Sequence, residues 1–164
     1  MEIADIVDLE TIRACARLFT DVNNSPPWKD EWTAERSVRR LTDIFNSPGF
    51  FGLAGFTGER VIAFIIGNVE AFYDGDHFCL REMIVASDAQ RQGMGGRLLE
   101  EADLRLLSKG VSEVYLFTSR GNGTSEFYEK NGYTCWTTMT MMGKALREGH
   151  ADHTVPPCDP VAEG

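Results

Sequence analysis

The feature that most constrains the fold is a change of pattern in the middle of the chain. A strand-like run from Phe78 to Val85 leads into Gln90-Arg91-Gln92-Gly93-Met94-Gly95-Gly96. Leu98, Leu99, Ala102 and Leu106 then recur at helical spacing, Gly110 provides a stop, and a short apolar strand runs from Val114 to Thr118. Strand, helix and strand joined this closely imply a parallel pair with a crossover helix, and ligands bind beyond the carboxyl ends of such strands. The glycine-rich segment lies there, where a helix N-terminus leaves backbone N–H groups unpaired and carries partial positive charge. Glycines let a bulky anion approach the backbone, which makes a pyrophosphate cradle, and Arg91 can add a charge-assisted contact. A tight strand-to-helix connection would use the same residues. The Rossmann fingerprint is excluded, because G-x-G is not followed by x-x-G and no acidic residue ends the next strand. A P-loop is excluded because no Gly-Lys-Ser/Thr follows.

The first half reads as an antiparallel meander behind two helices. Asp8 is placed to cap a helix burying Leu9, Ile12, Ala16 and Phe19, and the NNSPP stretch breaks it. Thr33 caps a second, with Val38, Leu41, Ile44 and Phe45 facing inward and Ser47-Pro-Gly49 ending it. Strands Phe50 to Phe56 and Val61 to Val69 are joined through Thr57-Gly58-Glu59-Arg60, and a polar stretch from Tyr73 to His77 leads to the third. Past the parallel unit come a short helix (about Thr124 to Asn131, stopped by Gly132) and a methionine-rich strand from Tyr133 to Leu146. The expected architecture is mixed α/β in a single domain over 1–146. Residues 147–164 carry no periodicity and three prolines, and are expected to be disordered.

Composition narrows the function. A net charge of −9 argues against nucleic acid as a partner, which needs a basic face. It suits a cationic substrate steered by an acidic cleft, or it serves solubility alone. No apolar run is long enough to span a bilayer, and the acidic start MEIADIVDLE is not the pattern of a secretory signal. Cys15, Cys79, Cys135 and Cys158 are scattered without paired spacing, so reduced thiols of a cytoplasmic protein are expected, with no disulfide frame and no metal site.

The stretch MIVASDAQRQGMGGRLLEEA resembles the signature of the GNAT superfamily of N-acetyltransferases, Q/R-x-x-G-x-G/A, with Gln90, Gly93 and Gly95 in the three defined positions. Downstream, FYEKNGY (Phe127 to Tyr133) resembles the family's second hallmark, a tyrosine-bearing helix ending at a glycine-aromatic pair. The resemblance covers roughly residues 1 to 146 and implies the GNAT fold with acetyl-CoA as co-substrate. By that resemblance the amides from Arg91 through Gln92, Gly93, Met94 and Gly95 to Gly96 bind the CoA pyrophosphate. The backbone of Met83, Ile84 and Val85 pairs with the pantetheine arm like an added strand, on a strand that splays from its neighbour.

Acyl transfer to an amine needs a base, because an alkylammonium of pKa about 10.4 is almost wholly charged at neutral pH, and an acid for the departing thiolate. Tyr128 matches the family's tyrosine acid; its alternative is a core aromatic beside Phe127. Glu82, on the strand implied to line the acyl group, is the candidate base, against an ordinary carboxylate paired with Arg81 or Lys130, or a water relay in its place. His77 is a weaker candidate, expected to be exposed. The family often has an asparagine seven residues before the tyrosine; Gly121 stands there, and Asn122, one place later, is the candidate for that pantetheine contact. The acceptor pocket is expected from the first two helices, their connecting loop and Ala71 to His77. Trp28, Asp30 and Trp32 are candidate contacts for a polar cation, or else packing anchors and a helix cap. SPPWKDEWT and REMIV resemble the aminoglycoside acetyltransferase branch. The leading expectation is therefore transfer to a primary amine of a small cationic molecule. The rivals are a protein N-terminus or lysine acceptor and a non-catalytic acyl-CoA sensor. Homodimers are common in the family, and Met139, Met141 and Met142 mark a candidate interface.

Overall fold

A computed structural model describes residues 1–119, 123–144 and 146. The chain divides into two units, Met1–Tyr133 and Thr134–Gly164. The first holds every regular element among the described residues: β1 (Glu2–Asp5), α1 (Leu9–Asn23), α2 (Ala34–Phe45), β2 (Phe50–Thr57), β3 (Arg60–Phe72), β4 (Gly75–Val85), a 3-10 turn (Ser87–Ala89), α3 (Met94–Ser108), β5 (Val111–Leu116) and α4 (Thr124–Lys130). The sheet runs β1-β2-β3-β4-β5, with the first three pairings antiparallel and β4–β5 parallel through α3. This is the mixed α/β arrangement expected from the sequence.

Local chemistry explains most boundaries. Asp8 Oδ1 accepts from the Thr11 N–H (2.7 Å) and Thr33 Oγ1 from that of Arg36 (3.2 Å), so both helices start where a side chain satisfies an orphan donor. Leu9, at the first position of α1, stays exposed rather than joining the buried face. The β3 run is buried on both sides. Phe64 and Ile66 meet α1 and α2 with Ile12, Phe19 and Leu41, while Ala63 and Ile65 meet α3 with Leu98, Leu99 and Leu106. Each fully buried leucine, isoleucine or phenylalanine among them contributes roughly 1.5–3 kcal/mol of transfer free energy.

One element was not expected, and three expectations are corrected. The acidic start forms β1, whose four residues are too few for alternation to announce a strand. Tyr73 to His77 is no flexible stretch: β3 and β4 pair to Phe72↔Gly75. The turn closing this hairpin lies at the opposite end of β4 from Val85, roughly 30 Å away at the strand rise. His77 is buried (5% exposed), stacked on Phe72 at 4.3 Å with Nε2 3.1 Å from Asp74 Oδ1. In the second unit, residues 134–144 form no strand, because composition supplies strand-like residues but not a partner for their N–H and C=O groups. Residues 147–164, including Cys158, lie outside the described residues.

One irregularity shapes β4. Ile66 opposes Glu82, yet Gly67 opposes Leu80, so Arg81 is an extra residue and the strand bulges. Parallel pairing with β5 runs from Asp76↔Val111 to Leu80↔Leu116 and stops at that bulge. Beyond it, Arg81 to Val85 keep β3 on one side and have no strand on the other among the described residues.

Candidate active site

The open edge of β4 has a defined hydrogen-bonding character. The Ala86 N–H donates to the Ile62 carbonyl (2.8 Å), which makes Ala86 a hydrogen-bonded partner of β3. Antiparallel alternation then turns the main-chain groups of Ile84 and Glu82 to β3 as well, and those of Met83 and Val85 into the gap left by β5. Gln90 agrees: its Nε2 donates to the Val85 carbonyl from that side at 2.9 Å. Of the three residues expected to meet an extended ligand arm, Met83 and Val85 therefore present their backbone, while Ile84 spends its own on the sheet.

The glycine-rich loop closes one end of this gap. Arg91 (φ 59) and Gly93 (φ 76) both adopt left-handed backbone, a turn that places α3 directly after the loop. Gly93 caps α3 with no side-chain hydrogen bond, so by helix geometry the N–H groups of Met94, Gly95 and Gly96 remain available. A Cβ on Gly95 would lie 3.1 Å from Phe127 Cζ and 3.4 Å from Met83 Cε, which is why this close approach takes glycine. The loop is braced from outside: Gln92 Nε2 donates to the Asp88 carbonyl (2.9 Å), and Arg60 pairs with Asp88 through two nitrogens (2.8 and 3.2 Å). Gln90 and Gln92 thus use their side chains to hold the loop, and Arg91 is exposed. The cradle, the open edge and the available donors fit an extended ligand ending in phosphates.

Tyr128 stands beside Met83, midway along the gap. It is 9% exposed, packed edge-on against Phe127 (5.2 Å) and Tyr133 (5.4 Å), with its hydroxyl 3.9 Å from Met83 Sδ. Burial first, and then the charge of Glu82, push its pKa up to about 12, so it holds its proton throughout the neutral range. The Met83 side chain links the two elements: its sulfur lies against the Tyr128 hydroxyl, and its Cε lies where a Cβ on Gly95 would be in contact.

Glu82 lies next along β4 on the opposite face. Its partner is neither Arg81 nor Lys130 but Arg40 of α2: Nε donates to Oε1 at 2.6 Å, and a second guanidinium nitrogen reaches the same oxygen. Burial raises the Glu82 pKa above its ordinary 4.5, and the Arg40 charge and hydrogen bond oppose that rise. Arg40 escaped the sequence reading. Its signal was its place on the Ser37–Leu41–Ile44 face of α2, where a charge needs a partner.

The loop before α2 delivers Trp32 to this pair. Asn24 brackets the Trp32 backbone with two 2.9 Å hydrogen bonds, the ring packs edge-on against Phe19 (4.9 Å), and the Arg40 guanidinium carbon lies 5.8 Å from the ring centre. Asp30 accepts from Trp32 Nε1 at 3.1 Å. Trp28 stands 36% exposed on the same loop. Asn122 lies outside the described residues. Cys15 and Cys79 are buried, and burial pushes the Cys15 thiol up to about 12. Among the described residues no cluster of three or more metal-ligating side chains forms, and no helix is long and apolar enough to cross a membrane.

Residues 53–135 match the family model of the acetyltransferase (GNAT) domain. No curated protein sequence matches the chain. Among solved structures, the fold is similar to an aminoglycoside acetyltransferase from an uncultured soil metagenomic sample, in complex with sisomicin (TM-score 0.71, 18% identity, covering 89% of this chain and 96% of that one). It is similar to a possible acetyltransferase from Clostridium difficile 630 (TM-score 0.73, 13% identity, 88% and 97% covered). It is also similar to glucosamine-6-phosphate N-acetyltransferase from Arabidopsis thaliana (TM-score 0.63, 18% identity, 89% and 98% covered). At these identities the likeness speaks for the fold, and the family follows from the domain match: the chain belongs to the GNAT acetyltransferases and is an acyltransferase.

Proposed function

We propose that this protein is an acetyl-CoA-dependent N-acetyltransferase acting on the primary amine of a small, cation-bearing molecule. The observation that carries the reading is the gap beside Arg81 to Val85, which has the outward backbone groups of Met83 and Val85, the α3 N-terminus at one end and the Tyr128 hydroxyl beside Met83. Met83 and Val85 pair with the amides of the pantetheine arm, and the N–H groups from Arg91 to Gly96 take the pyrophosphate. Trp28, Asp30 and Trp32 border the acceptor side, where an ammonium gains from carboxylate and aromatic faces. Acetyl-CoA supplies the thioester carbonyl. Glu82 removes a proton from the attacking ammonium, the new C–N bond forms as the C–S bond breaks, Tyr128 donates to the leaving sulfur, and the second proton shed by the acylated nitrogen restores the tyrosine hydroxyl.

The test is release of free thiol from acetyl-CoA during a screen of aminoglycosides, polyamines, amino acids and peptides. Turnover with a small amine is expected; binding of acetyl-CoA without thiol release from any acceptor would sink the enzyme reading. The pH profile carries a second prediction. A base must be ionised to act, so kcat should fall as pH drops through the raised Glu82 pKa, giving an acid limb above 4.5. Glu82→Gln should lower the plateau about 100-fold and abolish that limb. An unchanged limb in this variant would move the base elsewhere.

A further inference from the structure

Granted the acetyltransferase reading above, the acceptor side of Glu82 presents a positive charge to whatever approaches. The Arg40 side chain is 44% exposed and that of Glu82 14%, so Arg40 is the partner that solvent and an incoming molecule reach first. Both Arg40 contacts fall on Glu82 Oε1, while the guanidinium carries five donors and has Trp32 nearby at 5.8 Å. An acceptor with positive charge alone must displace this guanidinium from Glu82 and then remain beside it, against like-charge repulsion.

We propose that the acceptor is an amino carboxylate and that Arg40 recognises its carboxylate. The acceptor's ammonium takes the place of Arg40 on Glu82, and its carboxylate takes the place of Glu82 on Arg40. Each partly buried charge then keeps an opposite partner, whereas a bare amine would strand the guanidinium. A guanidinium that already holds a planar carboxylate is preorganised for a second one. The exchange also acts on the base. Arg40 opposes the burial-driven rise in the proton affinity of Glu82, so drawing Arg40 onto the substrate strengthens the base when the matching acceptor is present.

The experiment compares kcat/KM for the standard amino acids, their carboxamides and the amines lacking the carboxylate. Alanine is set against alaninamide and ethylamine, γ-aminobutyrate against putrescine, and sisomicin and aminoethyl phosphate complete the series. The best acceptor should be an amino carboxylate, and loss of its charge should reduce kcat/KM about 100-fold, chiefly through KM. In Arg40→Gln the discrimination should shrink to within about threefold, while Arg40→Lys keeps part of it. Thermal unfolding of both variants checks that they fold, and the wild-type series decides the matter even where a variant does not. A best acceptor without a carboxylate (sisomicin, putrescine or aminoethyl phosphate), or discrimination unchanged in Arg40→Gln, would overturn the assignment. Absence of thiol release with every acceptor would remove the acetyltransferase reading itself, and this one with it.

Discussion

Tyr128→Phe should lower kcat about 1,000-fold while leaving acetyl-CoA binding and the unfolding temperature nearly unchanged. The ring does the packing: it meets Phe127, Tyr133 and the core beneath α3, and phenylalanine keeps all of those contacts. The hydroxyl has a 3.9 Å approach to a methionine sulfur, a weak acceptor, so its loss strands no buried partner. What disappears is a proton held in place by a pKa of about 12 beside Met83, where the proposed function brings the leaving sulfur. A drop of a few fold would make Tyr128 a packing residue and leave the sulfur to solvent. Parallel loss of acetyl-CoA binding would mean that the hydroxyl positions the donor instead.

The second large effect should come from a residue with no chemistry of its own. Gly67→Ala should destabilise the protein by about 3 kcal/mol, a shift of roughly 6–12 °C in Tm, and weaken acetyl-CoA binding in whatever remains folded. A Cβ at this position would run directly into the Cys79 carbonyl oxygen of the neighbouring strand and lie 2.7 Å from Phe78 Cζ. The backbone oxygen cannot swing aside as a flexible side chain could, so β3 and β4 must part. They would part at the bulge, between Ile66 and Gly67, where β4 leaves β5. Thermal unfolding and calorimetric titration with acetyl-CoA measure the two consequences. A variant with wild-type Tm would show that the bulge tolerates a methyl group and is not the fixed hinge of the gap.

The parts of this site that were legible in the sequence are those that depend on near neighbours. Caps at Asp8 and Thr33, the stripe from Leu98 to Leu106 and the glycines at the start of α3 announce themselves within a turn or two, because helix geometry relates residues three or four apart. Strand pairing is different in kind. Nothing near Arg81 signals that it is the extra residue of a bulge, since that depends on Ile66 and Gly67 of another strand. For the same reason Met83, Ile84 and Val85 looked equivalent until the register divided them. Arg40 finds Glu82 across 42 positions, so the sequence offered Arg81 and Lys130 as nearer partners. His77 looked exposed because its neighbours are polar, yet Phe72 across the hairpin covers its ring. The expected strand after Tyr133 failed in the opposite direction, where residue types were read as pairing without an edge to pair with.

The gap beside β4 as the donor site is tested most directly by amide hydrogen exchange along that strand, with and without saturating acetyl-CoA. The N–H groups of Met83 and Val85, which point into the gap, should slow by at least about tenfold when the donor is added, and that of Ile84, already bonded to β3, should change little. Unchanged exchange at Met83 and Val85 would contradict the account, and so would protection at Ile84 alone.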